Sequence, residues 1–472
     1  MNTNDTRVYV EERWNNSVLR VLQDYIRIPN LSSAYDPQWF AHGHMDRAVR
    51  LFRRWAMEQP MPGLTVEVVQ LPERTPLIFM EIPGTRPGTI MLYGHLDKQP
   101  PFDGWREGLG PWTPVIEGDR LYGRGAADDG YAIFSALTAL RVLDVDDTPH
   151  ARCVVLIEAD KESGSNDLPA YIEHLAGRIG SPDLVICLDS GCGNYDQLWQ
   201  TTSLRGLVDG VLRVEVLKEG VHSGDASGIV PSSFRIARQL LSRIENADTG
   251  HVAVAACHGR CSEARLAQAE VTASALGDSV HTRFPWAEGS VPLKSNPRGL
   301  VLARTWDPAL SVTGAGGLPP VGDAGSVLRP FTALKLSMRI APTADPQYAS
   351  EQIKIALETA QPRGAKVTFT VGHALPGWDA PPQAPWLEQA IDQASWAYFG
   401  QPAMAMGEGG TIPFMRMLGD RFPAAQFLIT GVLGPESNAH GPNEFLHLPT
   451  AVRLTCCIAD VIADHATRPA TK

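Results

Sequence analysis

Apolar residues recur at helical spacing early in the chain, at Trp14, Val18, Leu22 and Ile26, and the pattern stops at Pro29; this predicts an amphipathic opening helix. A second helix is predicted over residues 44–58. Short apolar runs follow at 89–93, 153–157 and 184–188, with a helical stretch around 130–143 between the first two. Runs so short and continuous suit strands buried on both faces, so this region reads as an α/β sheet covered by helices on each side.

After residue 189 the periodicity changes. Residues 206–217 alternate as a strand, 232–246 read as a helix, 331–341 as a strand, 347–360 as a helix and 366–372 as a strand. That succession predicts a compact α+β unit of ferredoxin-like type. The Gly- and Pro-rich stretch LPGWDAPPQAP (375–385) closes it, and a helix, a strand at 425–430 and a last helix return the chain to the first domain. A chain of 472 residues exceeds the usual single core. The expected organisation is one domain built from residues 1–204 and 377–472, with a second, 205–376, inserted into it.

Composition narrows the function classes. Hydrophobic residues make up 44% and charged residues 20%, enough apolar side chain to build a core. The net charge of −11 argues against a general nucleic-acid or anionic-membrane surface. The opening MNTNDTRVYVEERWNN lacks the basic and apolar regions of a secretory signal, and no run of about 18 apolar residues appears, so a cytoplasmic location without membrane association is expected. Seven cysteines, an odd number, fit reduced thiols better than a disulfide framework. The CHGRC stretch (257–261) lacks a second ligand pair at zinc-finger spacing and is set aside as a metal site.

Five stretches place a carboxylate or imidazole beside a tight turn: YGHLD (93–97), GRGAADDG (123–130), EADKESGS (158–165), CLDS (187–190) and NAHGPNE (438–444). Each alone reads as an ordinary strand end, helix cap or solvated loop. Together they supply His95, Asp128, Glu162, Asp189 and His440, a nitrogen and oxygen set suited to two divalent cations, zinc above all, with manganese and cobalt also accepted. Glycines at 94, 123, 125 and 164 fit turns that let such ligands approach one another. Strands are predicted before three of the five, and open α/β sheets bind ligands beyond the carboxyl ends of their strands.

In order and wording these stretches resemble the M20 family of two-metal aminopeptidases, carboxypeptidases, dipeptidases and aminoacylases, over residues from about 14 to 465. The resemblance implies a mixed-sheet catalytic domain with an inserted ferredoxin-like domain that serves as lid and homodimer interface. It implies that His95 binds one metal and Glu162 the other, that Asp128 bridges them, and that Asp189 and His440 complete the pair, with Asp97 orienting His95. The substrates implied are dipeptides, short peptides or N-acyl amino acids. His222, in VHSGDASG (221–228), matches the residue that reaches the substrate carbonyl, and Arg339 the arginine that clamps a substrate carboxylate. Glu408, Gly409, Gly410 and Thr411, in GEGGTIP (407–413), match a substrate-binding loop.

Three positions depart from the family pattern. Gly407 stands where an arginine is common, and Gly130 where a lysine often follows the paired aspartates. The third carries the most weight: Lys161 replaces the glutamate that serves as general base. A lysine, with an ordinary pKa of roughly 10.4, cannot take a proton while charged. A cation pair would depress it, and its side chain is expected to turn to solvent or to pair with Asp160 or Glu162. The sequence leaves open a working amide hydrolase, in which Lys161 itself is the catalytic position, and a metal-containing relative with little turnover, whether a natural pseudo-enzyme or a base-substituted variant.

Overall fold

The computed structural model describes residues 2–468. Its central strands are the apolar runs of the sequence: Ile90–Leu92, Val154–Leu156 and Leu184–Ile186 are fully inaccessible to solvent. They belong to a six-stranded sheet in the spatial order Thr65–Val69, Leu77–Ile82, Ala151–Glu158, Arg86–His95, Leu184–Cys187 and Gln426–Ile429. The two pairings at the Thr65 edge are antiparallel and the other three parallel, so the sheet is mixed. Helix Ala132–Val145 packs against Leu448–Thr467, which in turn packs on Pro385–Phe399.

The opening helix starts earlier than the apolar spacing predicts. It runs from Thr3 to Ile26 through a π-helical turn at Trp14–Val18, because the Asn2 side chain caps the first turn by accepting from the Asn4 and Asp5 amides. Its far end is tied to the segment after His95. The buried Lys98 ammonium donates to the carbonyls of Tyr25 (2.8 Å), Ile26 (3.3 Å) and Ile28 (2.8 Å), and Tyr25 Oη and Asn30 Nδ2 both donate to the Leu96 carbonyl.

Contacts divide the chain into two compact units. The first comprises the residues up to Thr202, Ala380–Met406 and those from Met417 onward; the second comprises Ser203–Asp379 and Gly407–Arg416. The second unit carries a four-stranded antiparallel sheet in the spatial order Ala309–Gly316, Phe331–Ile340, Gly206–Glu215 and Lys366–Leu375. Strictly alternating burial along Phe331–Ile340 turns Leu334, Leu336, Met338 and Ile340 toward helices Ser233–Ile244 and Pro346–Glu358. With its helices the unit reads βαββαβ, the ferredoxin-like succession expected. Its second strand, Ala309–Gly316, is invisible to the sequence pattern because Ser311–Ala315 are exposed and glycines interrupt it.

Candidate metal centre

Strand register gathers the candidate ligands of the first unit. His95 ends its strand opposite Glu158, and Tyr93 lies opposite Cys187, so the turns leaving three neighbouring strands open at one edge of the sheet. Those turns carry Asp97, Glu162 and Asp189. Close packing explains Gly94: a Cβ there would stand 2.5 Å from the Ala132 Cβ and 2.8 Å from Asp129 Oδ2. Asp129 accepts from the His95 amide (3.1 Å), which fixes the strand end, and is not itself grouped with the candidate ligands.

Two ligand triads result, His95–Asp128–Asp189 and Asp128–Glu162–His440, with donor atoms in each within 4.8 Å of one another. Asp128 is common to both and divides its oxygens between them. Oδ1 lies 3.2 Å from His95 Nε2, and Oδ2 lies 2.9 Å from His440 Nε2. His95 Nε2 is also 3.8 Å from Asp189 Oδ1, and His440 Nε2 is 3.3 Å from Glu162 Oε2. Glu162 Oε1 and Asp189 Oδ2 are buried without a hydrogen-bond partner. Burying bare carboxylate oxygens is costly, and an oxygen-rich set with two imidazoles fits hard or borderline divalent cations.

Charge within the centre is tightly balanced. Burial and Lys161 draw the His95 pKa down, but Asp128, Asp97 and Asp189 hold it well above the ordinary histidine value. Burial likewise opposes the charge on His440, which Asp128 and Glu162 push up to about 10. Burial raises Asp189 to about 6, while Lys161, His440 and His95 outweigh burial at Asp128 and hold it well below the usual carboxylate range.

Lys161 behaves differently from expectation. Its ammonium neither turns to solvent nor pairs with Asp160 or Glu162; it donates to Asp189 Oδ1 (2.9 Å) and Asp128 Oδ1 (3.2 Å), with the side chain 15% exposed. Burial favours the neutral amine, yet Asp128, Asp189 and Glu162 hold the pKa well above the ordinary lysine value. The expected depression assumed nearby dications, whereas the carboxylates pull the other way. In this arrangement Lys161 is not a base.

Asp97 and Asp160 are occupied as well. Asp97 Oδ1 meets His95 Nδ1 and accepts from the Lys161 amide (both 3.2 Å), while Oδ2 accepts from the Glu162 amide (2.9 Å). Asp160 accepts from Ser33 Oγ and from the Asn166 amide.

Two residues inside the quoted stretches had no role assigned from sequence. Arg124 Nη1 bonds Glu444 Oε2 (2.6 Å), with the pair wholly buried, and Arg124 Nη2 donates to the Gly441 carbonyl (2.7 Å). Glu444 Oε1 accepts from the amides of Gly125 (2.9 Å) and Ala127 (3.4 Å). The loop bearing His440 is thereby fastened to the turn bearing Asp128. Gln99 adds a bond from Nε2 to Glu162 Oε2 (2.8 Å). Adjacency to the ligands was the available signal; a pairing across the length of the chain was not.

The remaining candidates lie in the second unit and form two groups. His222 is exposed at the end of a two-residue strand paired with Val327–Leu328. Arg339 Nη1 donates to Thr411 Oγ1 (2.8 Å), which donates to the Arg205 carbonyl (2.6 Å), and Arg205 Nε donates to the Gly409 carbonyl (3.3 Å). Glu408 contributes its carbonyl to the Arg205 amide, and Gly410 borders open space. Arg205, which carried no sequence signal, is drawn down to about 10 by burial and by its neighbours Arg339 and Arg304. Clustered guanidinium groups of this kind suit an anion.

Residues 91–464 match the Peptidase family M20/M25/M40. The chain belongs to this family. Among M20 relatives, the cysteinylglycine-S-conjugate dipeptidase of Corynebacterium striatum is 26% identical over 369 residues, covering 75% of this chain and 76% of that protein. The human Beta-Ala-His dipeptidase is 25% identical over 362 residues, 72% of this chain and 68% of that one. The fold is that of the dipeptidase Dug1p from Saccharomyces cerevisiae, with a TM-score of 0.80 over 99% of both chains at 19% identity. This M20 chain is a metallopeptidase-like hydrolase of dipeptidase type. Among the described residues no helix is long and apolar enough to cross a membrane.

Proposed function

We propose that this M20 chain hydrolyses the amide bond of dipeptides or other short peptides bearing a free C-terminal carboxylate, N-acyl amino acids being the neighbouring substrate class, with the aid of two divalent cations, zinc first. The observation that carries this reading is the division of Asp128 between two histidines, one oxygen to each. Divalent cations at such a centre supply activation of a water and polarisation of the scissile carbonyl. The chain's part is to hold them: His95 and Asp189 on one side, Glu162 and His440 on the other, Asp128 between. Asp97 fixes the ring of His95 through Nδ1, and the Arg124–Glu444 pair fixes the loop of His440.

Arg339, supported on Thr411 and neighboured by Arg205, is the proposed carboxylate clamp, and His222 the proposed carbonyl-binding group. Both assignments and homodimerisation through the inserted domain rest on the family resemblance, whereas the domain's proposed boundaries, 205–376, rest on the change of periodicity and the Gly- and Pro-rich stretch that closes it. Because Asp97 and Asp160 are already engaged and Lys161 is cationic, none of these three takes the base's place, and slow turnover is expected.

Hydrolysis of a panel of dipeptides and N-acyl amino acids, with zinc or manganese loaded, tests the reading. Activity that a chelator removes, and that His95→Ala and His440→Ala each abolish, supports it. The absence of any hydrolysis by both the native chain and Lys161→Glu, at every metal loading, would reject it.

A further inference from the structure

We infer that the Lys161 ammonium is a resident cation of the His95–Asp128–Asp189 triad, where it competes with a divalent ion, so that the two triads take metal with unequal affinity and the tight one is Asp128–Glu162–His440. The inference rests on the two-metal reading proposed above and deepens it.

Four observations support it. The ammonium and the His95 ring share the same two oxygens: Lys161 Nζ is 2.9 Å from Asp189 Oδ1 and 3.2 Å from Asp128 Oδ1, and His95 Nε2 is 3.8 and 3.2 Å from them. Among the described residues Lys161 Nζ makes no hydrogen bond to Asp128 Oδ2, Glu162 or His440; His440 lies against Asp128 Oδ2 and Glu162 Oε2 instead. The root of the side chain is anchored, because the Lys161 amide donates to Asp97 Oδ1 and the next amide to Oδ2. Finally, Asp128, Glu162 and Asp189 together bring three negative charges, of which Lys161 offsets one.

A dication entering the first triad therefore meets a fixed positive charge that already uses its oxygen donors. Coulomb repulsion at such range is large wherever water is excluded. The ion must either expel the ammonium toward solvent, along the 15% of the side chain that is exposed, or bind weakly beside it. Either route weakens that site more than Asp128–Glu162–His440, where Lys161 bonds neither Glu162 nor His440.

Equilibrium dialysis of the full chain against free Zn2+, with metal counted by mass spectrometry, reads the effect without any substrate. The native chain is expected to take one ion tightly and a second at least about 100-fold more weakly, a difference of about 2.7 kcal/mol. Lys161→Met, which keeps the apolar stem and removes the charge, is expected to take both tightly. In the native background His440→Ala removes the tight ion and His95→Ala leaves it. Two ions bound equally tightly by the native chain, or a tight ion lost with His95→Ala rather than with His440→Ala, overturn the inference and leave the two-metal reading standing. A Lys161→Met chain with native secondary structure that takes no ion removes the two-metal reading, and the inference with it.

Discussion

Glu444→Gln tests whether a pair that touches no proposed ligand governs the centre. The substitution keeps shape and one amide acceptor but removes the carboxylate that, among the described residues, is bonded to Arg124, a guanidinium just 1% exposed. Stripping one partner from a buried ion pair typically costs about 3–5 kcal/mol. Arg124 retains the Gly441 and Pro100 carbonyls, and the glutamine oxygen can still accept from the Gly125 amide, so the lower end, about 3 kcal/mol, applies. That corresponds to roughly 100-fold in the balance between the docked and undocked His440 loop. Because affinity is reduced by the fraction of competent protein, zinc binding at the Asp128–Glu162–His440 triad should weaken by up to that factor. Competition against a chromophoric chelator measures it, with circular dichroism confirming an intact fold. Arg124→Met combined with Glu444→Leu, which leaves no buried charge, should recover much of the loss. Zinc affinity within threefold of native in Glu444→Gln would refute the idea that this pair holds the loop.

Further outcomes follow from the same geometry. Lys161→Glu should raise kcat on dipeptides by about 10²–10⁴-fold, the usual worth of a general base; equal rates would show that position 161 does not supply it. His440, held near 10 without metal, carries a proton at pH 7 that a cation must displace, so apparent zinc affinity should climb as pH rises from 6 toward 9, with proton uptake by the buffer visible in calorimetry. Affinity flat across that range would contradict the assignment. Arg339→Met should raise KM for substrates with a free C-terminal carboxylate and leave their amidated counterparts little changed; equal losses on both would argue against a clamp. Gly94→Ala should cost about 1–3 kcal/mol in urea unfolding, since the new methyl meets Ala132 at 2.5 Å.

Three of the candidate ligands were legible in the sequence because each follows a run whose continuous apolar character marks a strand end: His95 after Ile90–Leu92, Glu162 after Val154–Leu156 and Asp189 after Leu184–Ile186. The identity of Lys161 was equally plain, but its direction was not: that depends on which carboxylates the fold brings within reach, and Asp128 and Asp189 arrive from separate turns. Arg124 and Glu444 were hidden for the same reason, their meaning lying in a pairing between distant segments. Arg205 had only its neighbour Gly206 for context, and strand Ala309–Gly316 presents too much solvent-facing glycine and alanine to show a period of two.

The parallel pairing of Gln426–Ile429 onto Leu184–Cys187 bears on how the protein is made. During synthesis the sheet grows to its fifth strand, after which the whole second unit must emerge before the sixth strand can arrive. Through that interval the Leu184–Cys187 strand is an open, apolar edge, the kind of surface that recruits stray strands from other chains. The nascent chain at that stage holds His95, Asp128, Glu162 and Asp189 but not His440 or Glu444. A ribosome stalled within the insert should therefore display a chain that aggregates readily and gains little from added zinc.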